Sequence, residues 1–505
     1  MDRRRFLQAT AFGTIAGGTM MLPATANAAW GDFPAPPSGE AWPGAIPSYK
    51  ILEVFLYGGL SPWETFFHRP GLVDPWYGQQ SQIQGLSWAC AGAPSPTTEI
   101  QDIDGNVALG PLTKPIWGLA DRMRIVVMQH GLEPHEAAIP YAITGHVLGR
   151  SNFSSLGAAM SHRFAGPGRT TPLAYSFLPN NLSFGSDNFQ AIDAVGTHPG
   201  RHRPLRLNIG PGGDAFVAQL QRPGMSATNR DAVLDYYRAH YRDWLRLRGS
   251  TAPEFLSRSR GFSNYDASTS TLLNAAELNT LFGAGGQVAL NLTQTNECPD
   301  GSLIDNRNDI TGVSMRAAAK LLTLPEADGG ARHVCVVDGG LRRPGGAAYD
   351  THSGNNVEDT AVNLWSTLDA LAAVVQTPGS ATPDPTKINL DDTLIVLKTE
   401  FGRTPNTAPG RDHWPQGYTN ILIGGPVNPG GGAKVIGSMD ASGIANADDF
   451  YTPSEVQGAL MIAGGLYPFE PENFGVGDMG VKTKRVNEEL TVLELWRQIL
   501  LGVGA

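Results

Sequence analysis

HVCVV (His333–Val337), VEDTAVNLWSTLDALAAVV (Val357–Val375) and TLIVLK (Thr393–Lys398) decide the fold. The first and third are short, near-continuous apolar runs rich in β-branched residues. That is the pattern of strands buried on both faces. The middle stretch has apolar residues at 361, 362, 364, 365, 368, 371 and 372, which share one helical face. Strand, helix and strand in that order predict a βαβ unit of a parallel sheet.

Outward from this unit, three more runs read as strands that end in turns. They are Ile51–Tyr57 before Gly58-Gly59, Arg124–Met128 before Gln129-His130-Gly131, and Asn420–Ile423 before Gly424-Gly425. Helices fit Asp231–Leu247, Pro453–Gly464 and Asn487–Leu501. Residues 161–310 are rich in Gly, Pro, Ser and Asn and show no strand series. The expected fold class is α/β, a mostly parallel central sheet carrying an inserted loop-rich cap. The core halves fall at 29–160 and 311–505, with the cap at 161–310 between them.

The chain has 505 residues, 41% hydrophobic and 17% charged, with 61 Gly and 37 Pro. This excludes a disordered chain, a collagen and a small disulfide scaffold. Its net charge is −10, and residues 1–28 hold three Arg and one Asp, so the remainder stands at −12. An acidic body argues against nucleic acid as a partner, because binding it needs a basic footprint.

Residues 1–28 read as a signal peptide. Arg3-Arg4-x-Phe6-Leu7 precedes a weakly apolar stretch and the small-x-small site Ala26-Asn27-Ala28. The pattern resembles a twin-arginine signal, which makes that export machinery a partner and places the mature chain in a periplasm or outside the cell. No later segment reads as a membrane helix. Of three cysteines, Cys335 sits in an apolar run as a buried thiol, and Cys90–Cys298 is the candidate pair.

Open parallel sheets bind ligands beyond the carboxyl ends of their strands. The unusual polar residues fall there. Tyr349-Asp350-Thr351-His352-Ser353-Gly354-Asn355 follows one strand. Thr399-Glu400-Phe401-Gly402-Arg403-Thr404-Pro405 follows the next, and Arg411-Asp412-His413-Trp414 comes soon after. Asp350 and His352, two residues apart, share one face of an extended chain and suit one metal. Adjacent Asp412 and His413 need a loop to converge, or else serve two neighbouring metals. Carboxylates with imidazoles and no thiolate suit zinc first and manganese second. Glu400 is a further ligand or a base, and Arg403 an anion clamp. After the first strand, Ser61 is a candidate nucleophile and Glu64 a ligand or base. Among His130, Glu133, His135, Glu136 and His146, His135 is the candidate for the site. Trp63, Trp76 and Trp414 suit stacking on a sugar or the core. Each residue also has a structural reading. Asp350 can cap a helix, Glu400–Arg403 can be a plain ion pair, and Ser61 can be a turn residue.

The Tyr-Asp-Thr-His-Ser-x-Asn, Thr-Glu-Phe-Gly-Arg-Thr-Pro and Asp-His-Trp strings, with Leu56-Tyr57-Gly58-Gly59, resemble the exported bacterial family of domain of unknown function 1501. That family is similar to the alkaline phosphatase/sulfatase superfamily. The resemblance covers most of 48–160 and 311–500. It implies a phosphatase-like three-layer sandwich with metal at the strand ends, Asp350/His352 and Asp412/His413 being ligand pairs. It also implies attack on phosphate or sulfate esters by a Ser, Thr or modified Cys. The chain departs from the pattern in its first turn, where the superfamily has an Asp and this sequence has Gly58-Gly59. The expected function is therefore an exported metal-dependent hydrolase of phosphate or sulfate esters, free or carried on a polysaccharide. The competing reading is a non-catalytic periplasmic binding or assembly protein on the same fold. No dinucleotide fingerprint supports an oxidoreductase.

Overall fold

The computed structural model describes residues 33, 36–37, 39–42, 48–69, 99–147, 155–165, 175–178, 205–207, 226–247, 275–283, 286–288, 295–297, 303–307, 310–325, 330–339, 349–352, 356–380, 382–405, 411–427, 432, 434–470, 482 and 487–504. The signal at 1–28, Cys90, Cys298 and Trp76 lie outside them.

In chain order the strands are β1 (Lys50–Leu56), β2 (Gln101–Asp102), β3 (Ala108–Leu109), β4 (Met123–Met128), β5 (Tyr175–Leu178), β6 (Leu205–Arg206), β7 (Thr295–Glu297) and β8 (Leu303–Arg307). They continue with β9 (His333–Asp338), β10 (Thr393–Lys398), β11 (Gly402–Arg403), β12 (His413–Trp414), β13 (Tyr418–Gly424) and β14 (Val435–Ile436). Eight of them form one sheet in the order β14-β4-β13-β10-β1-β9-β5-β6. β1 lies between β9 and β10, parallel to both. Only β13 runs against its neighbours β10 and β4. The fold is α/β around a mostly parallel sheet, as the apolar runs suggest. The apolar run of β13 does not reveal its reversed direction, because a strand buried on both faces looks the same either way.

Helices cover both faces. On one side α5 (Ile310–Thr323), α6 (Asn356–Val374) and a 3₁₀ segment, Pro111–Arg122, pack on Leu52, Val54, Leu56, Val334 and Ile395. On the other lie α1 (His135–Thr144), α2 (Leu156–Ala165), α7 (Pro453–Ala463) and α8 (Glu488–Leu495), against Ile51, Phe55, Val126, Leu394 and Val396. Two further helices, α3 (Ala227–Leu247) and α4 (Ala275–Phe282), fall within 161–310. α7 begins at a capping box, in which Thr452 Oγ1 accepts from Glu455 N and the Glu455 carboxylate accepts from Thr452 N.

Two observations change the expected organisation. β5 and β6 come from 161–310 yet extend the central sheet beyond β9, so part of that region belongs to the core. Strands of four and two residues are too short to leave a readable apolar run. The sheet also buries ions. Glu53 of β1 pairs with Lys398 of β10 and, at 2.9 Å, with His333 of β9. Burial alone would raise the Glu53 pKa, but Lys398 and His333 hold it down at about 2. Cys335 is a free buried thiol whose pKa is pushed up by burial and by the Glu53 charge. Among the described residues no helix is long and apolar enough to cross a membrane.

Candidate active site

The polar residues gather at the carboxyl ends of β1, β9 and β10. β1 turns at Gly58 and Gly59, with φ of 118° and 92°. Only glycine adopts such angles at little cost. A Cβ on Gly59 would lie 2.8 Å from the Phe401 ring and 2.9 Å from Arg403 Nε. Gly59→Ala is therefore expected to destabilise the protein by at least about 2 kcal/mol, from strain and overpacking together. Urea denaturation checks this, and a change within 0.5 kcal/mol (about the scatter of neutral surface mutants) would count against it.

That turn receives Glu400, which is fully buried. Its Oε1 accepts from Gly58 N at 2.8 Å and from His135 Nδ1 at 2.7 Å, and its Oε2 accepts from Thr399 Oγ1 at 3.1 Å. His130 supports the same loop from behind. Leu132 N donates to its Nδ1, so Nε2 carries the proton and donates to Glu400 O at 2.7 Å. Burial pushes His130 down to about 4 and keeps it neutral.

His135, the first residue of α1, is thus fixed by Glu400, and its Nε2 lies 3.6 Å from Asp350 Oδ2. Burial alone would lower its pKa. Hydrogen bonds and charge from Asp350 and Glu400 outweigh burial and raise it to about 9. His135 is an imidazolium at neutral pH. His413 stands 4.6 Å away, ring to ring, and has the opposite setting. Burial, then the charges of Arg403, His135 and His352, lower it to about 4. Its Nε2 is buried and has no hydrogen-bond partner.

Asp350 is held from two directions. Tyr349, just before it, donates from N to Tyr57 O at 3.0 Å and from its hydroxyl to Asp338 Oδ2 at 2.5 Å. Asp338, buried at the end of β9, also accepts from Thr367 and Thr311. Asp350 Oδ1 in turn takes Arg403 Nη2 at 2.8 Å and His352 Nδ1. Burial would raise the Asp350 pKa, but His135, Arg403 and His352 hold it well below the usual carboxylate range. His352 Nδ1 lies against Asp350 Oδ1 and, at 3.2 Å, against Arg403 Nη1. His352 Nε2 faces Asp412 Oδ1 at 3.8 Å. Asp412 is the open rim, with its side chain 85% exposed.

Arg403 is completely buried. Its Nε donates to Gly58 O at 3.0 Å, Nη2 to Gly58 O and Asp350, and Nη1 to Arg411 O at 2.9 Å. Every donor nitrogen is engaged, so this guanidinium organises the turn and Asp350 and is not open to receive an anion as a clamp must. Ser61 and Glu64 are sealed as well. Ser61 Oγ donates to Glu64 Oε2 at 2.6 Å, and Arg411 Nη1 donates to Ser61 Oγ at 2.8 Å and Glu64 Oε1 at 2.6 Å. Both residues are about 3% exposed or less. The hydroxyl has no route to a substrate in this arrangement. Trp63 donates to Arg403 O and Trp414 to Gly443 O, so both indoles brace loops. Glu133 and Glu136 are exposed and His146 is buried.

The site thus brings together Asp350, His352, Glu400, Arg403, Asp412 and His413 with His135. Sequence reasoning gave no role to Arg411 or Asp338. The signal for Asp338 was a carboxylate ending an otherwise apolar strand. Among the described residues no three His, Cys, Asp or Glu side chains already surround a common metal position. The donor chemistry nonetheless fits a divalent ion. Imidazoles and carboxylates lie in one cluster, and His413 Nε2, like His135 Nε2, is a buried nitrogen with no hydrogen bond.

The molecule is thus an α/β protein with a histidine- and carboxylate-rich site at the carboxyl ends of its central strands. The chain belongs to the family described as Protein of unknown function (DUF1501), whose model matches residues 49–468. No curated protein and no solved structure matches it.

Proposed function

We propose that the protein is an exported, metal-dependent hydrolase of phosphate or sulfate esters, built on an alkaline-phosphatase-like three-layer fold. The observation that carries this reading is the meeting of His135, His352 and His413 with Asp350, Glu400 and Asp412 at three strand ends. Zinc, or else manganese, would be held by donors from Asp350, His352, Asp412 and His413. When bound, the ion supplies Lewis acidity to the ester oxygens. The chain's own residues do the rest. Glu400 holds His135 through Nδ1, and the proton on Nε2, 3.6 Å from Asp350 Oδ2, is the one that would pass to the leaving oxygen. Arg403 holds Asp350 in place. With Ser61 sealed, the attacking group is a water molecule.

The test uses the chain from Ala29 onward, purified without a histidine tag. Zinc and manganese are measured by mass spectrometry, and p-nitrophenyl phosphate and p-nitrophenyl sulfate are assayed. Bound metal with hydrolysis of either ester is the expected result. No metal after supply of both ions would overturn the proposal. Bound metal without hydrolysis would favour a binding protein, a reading that the sealed Ser61–Glu64–Arg411 cluster supports.

A further inference from the structure

We infer that α3 is a docking surface for an anionic polysaccharide, whose sugars stack on the exposed aromatic rings of the helix and whose charged groups meet the arginines of the same segment. The inference lies away from the strand-end site. It rests on the ester-hydrolase reading only in choosing sulfate or phosphate as the anion. Spacing separates two sides of α3. Arg230, Asp231, Leu234, Arg238 and Tyr241 are half-buried and follow one another at steps of one, three or four residues, so they share the face turned toward the protein. Other positions are exposed: Tyr236 by 65%, Tyr237 by 58%, and Val233 and Trp244 by 43% each. Tyr236 stacks on His240 with 5.9 Å between centroids and 8° between planes, and Tyr241 stacks on Trp244 at 5.8 Å and 19°. Such pairs are flat apolar plates, ordered before any ligand arrives. Tyr237 and Trp244 stand seven residues apart, ~10.5 Å along the helix axis, roughly the length of a disaccharide. A ring packs its face on the C–H side of a sugar while its polar edge stays wet. Grouped, exposed rings of this kind mark an interaction surface.

Charge fixes the sign of the partner. Residues 201–250 hold nine Arg, no Lys, four Asp and no Glu, a net +5 in a chain whose total is −10. The segment that carries the rings is therefore a basic island on an acidic protein. Within α3, Arg230 is bonded to Asp231 at 3.0 Å, whereas Arg238, Arg242 and Arg246 recur at every fourth position as a row of their own. The use of arginine alone suits planar or tetrahedral oxyanions, because the guanidinium fork matches sulfate and phosphate oxygens. The acidic remainder repels a polyanion, so one that binds is held at this segment. A helix that enters a lipid surface or pairs with a second copy needs an aliphatic face. Among the described large apolar side chains exposed on α3, Val233 alone is aliphatic.

The experiment measures binding of the mature protein to dextran sulfate, to unsubstituted dextran and to phosphatidylglycerol vesicles by calorimetry and affinity electrophoresis. It is repeated with the double variant Tyr236→Ala, Tyr237→Ala and with Arg238→Gln, and p-nitrophenyl ester hydrolysis is followed in each. Dextran sulfate should bind and dextran should bind far more weakly. Rising salt should weaken the complex, and the double variant should lose about 10-fold or more in affinity with hydrolysis unchanged. Undiminished binding by the double variant would overturn the inference, and so would equal binding of dextran, since the arginines would then play no part. Binding to vesicles but not to dextran sulfate would overturn it in favour of a membrane surface. The comparison of the three ligands on the unmodified protein holds as a test even if a variant does not fold. Ester hydrolysis without dextran sulfate binding would sink this inference and leave the hydrolase proposal standing. Dextran sulfate binding, lost in the double variant, without hydrolysis of either small ester would do the reverse.

Discussion

Arg403→Met is expected to destabilise the protein by about 3–5 kcal/mol, the usual cost of removing one partner from a buried charged network. The reason lies in what the guanidinium touches. It is fully buried and bonds main-chain carbonyls of the β1 turn and of Arg411 as well as Asp350. Methionine fills a similar volume but leaves those acceptors without donors, and each such loss costs ~1–3 kcal/mol. It also leaves the ionised Asp350 carboxylate without its guanidinium partner. Arg403→Lys keeps the charge but not the fork, and should lose less. Urea unfolding at pH 7 checks both. A loss below about 1 kcal/mol for the methionine variant, within the range of an exposed ion pair, would show that the network carries little of the stability.

The second large effect is on catalysis. His135→Asn should lower ester hydrolysis by about 10²–10⁴-fold, the usual contribution of a positioned general acid. A pH-dependent stability difference accompanies it in metal-free protein. The folded pKa of His135 is raised to about 9. A raised pKa stabilises the fold fully below the unfolded value, ~6.5, and the contribution disappears as pH rises through about 9. The unmodified protein should therefore lose its advantage over His135→Asn across that interval. Asp350 has the opposite sign. Its lowered pKa stabilises the fold above the ordinary carboxylate value, ~3.9, and that contribution is lost as pH falls below it. Unfolding curves at pH 5, 7 and 9.5 follow the His135 limb, and curves from pH 5 down to pH 2 follow the Asp350 limb. A constant difference between the two proteins would mean that His135 carries no extra proton.

Much of the site was legible because its residues cluster in short strings at the ends of apolar runs. Asp350–His352, Glu400–Arg403 and Asp412–His413 each follow or precede a strand that hydrophobic pattern alone locates. Their roles were less legible. A buried arginine and an exposed one read alike in sequence. Arg403 and Arg411 prove to be internal, and this decides that Ser61, Glu64 and one side of Asp350 are already occupied. The sequence favoured His135 among the loop histidines, and the structure supplies the reason: its Nδ1 bonds the Glu400 carboxylate, 265 residues away, at 2.7 Å, whereas His130 reaches only the Glu400 carbonyl.

The sequence by itself determined the α/β class, the central strands β1, β4, β9, β10 and β13, and which ends carry the polar residues. Local apolar periodicity is enough for that, since burial of strands and helix faces is written residue by residue. The tertiary structure alone decided the antiparallel course of β13, the recruitment of β5 and β6 into the sheet, and the protonation states of His135 and His413. Those follow from contacts between residues far apart in the chain, where burial and neighbouring charge shift a group's pKa in directions that its own sequence neighbours do not encode.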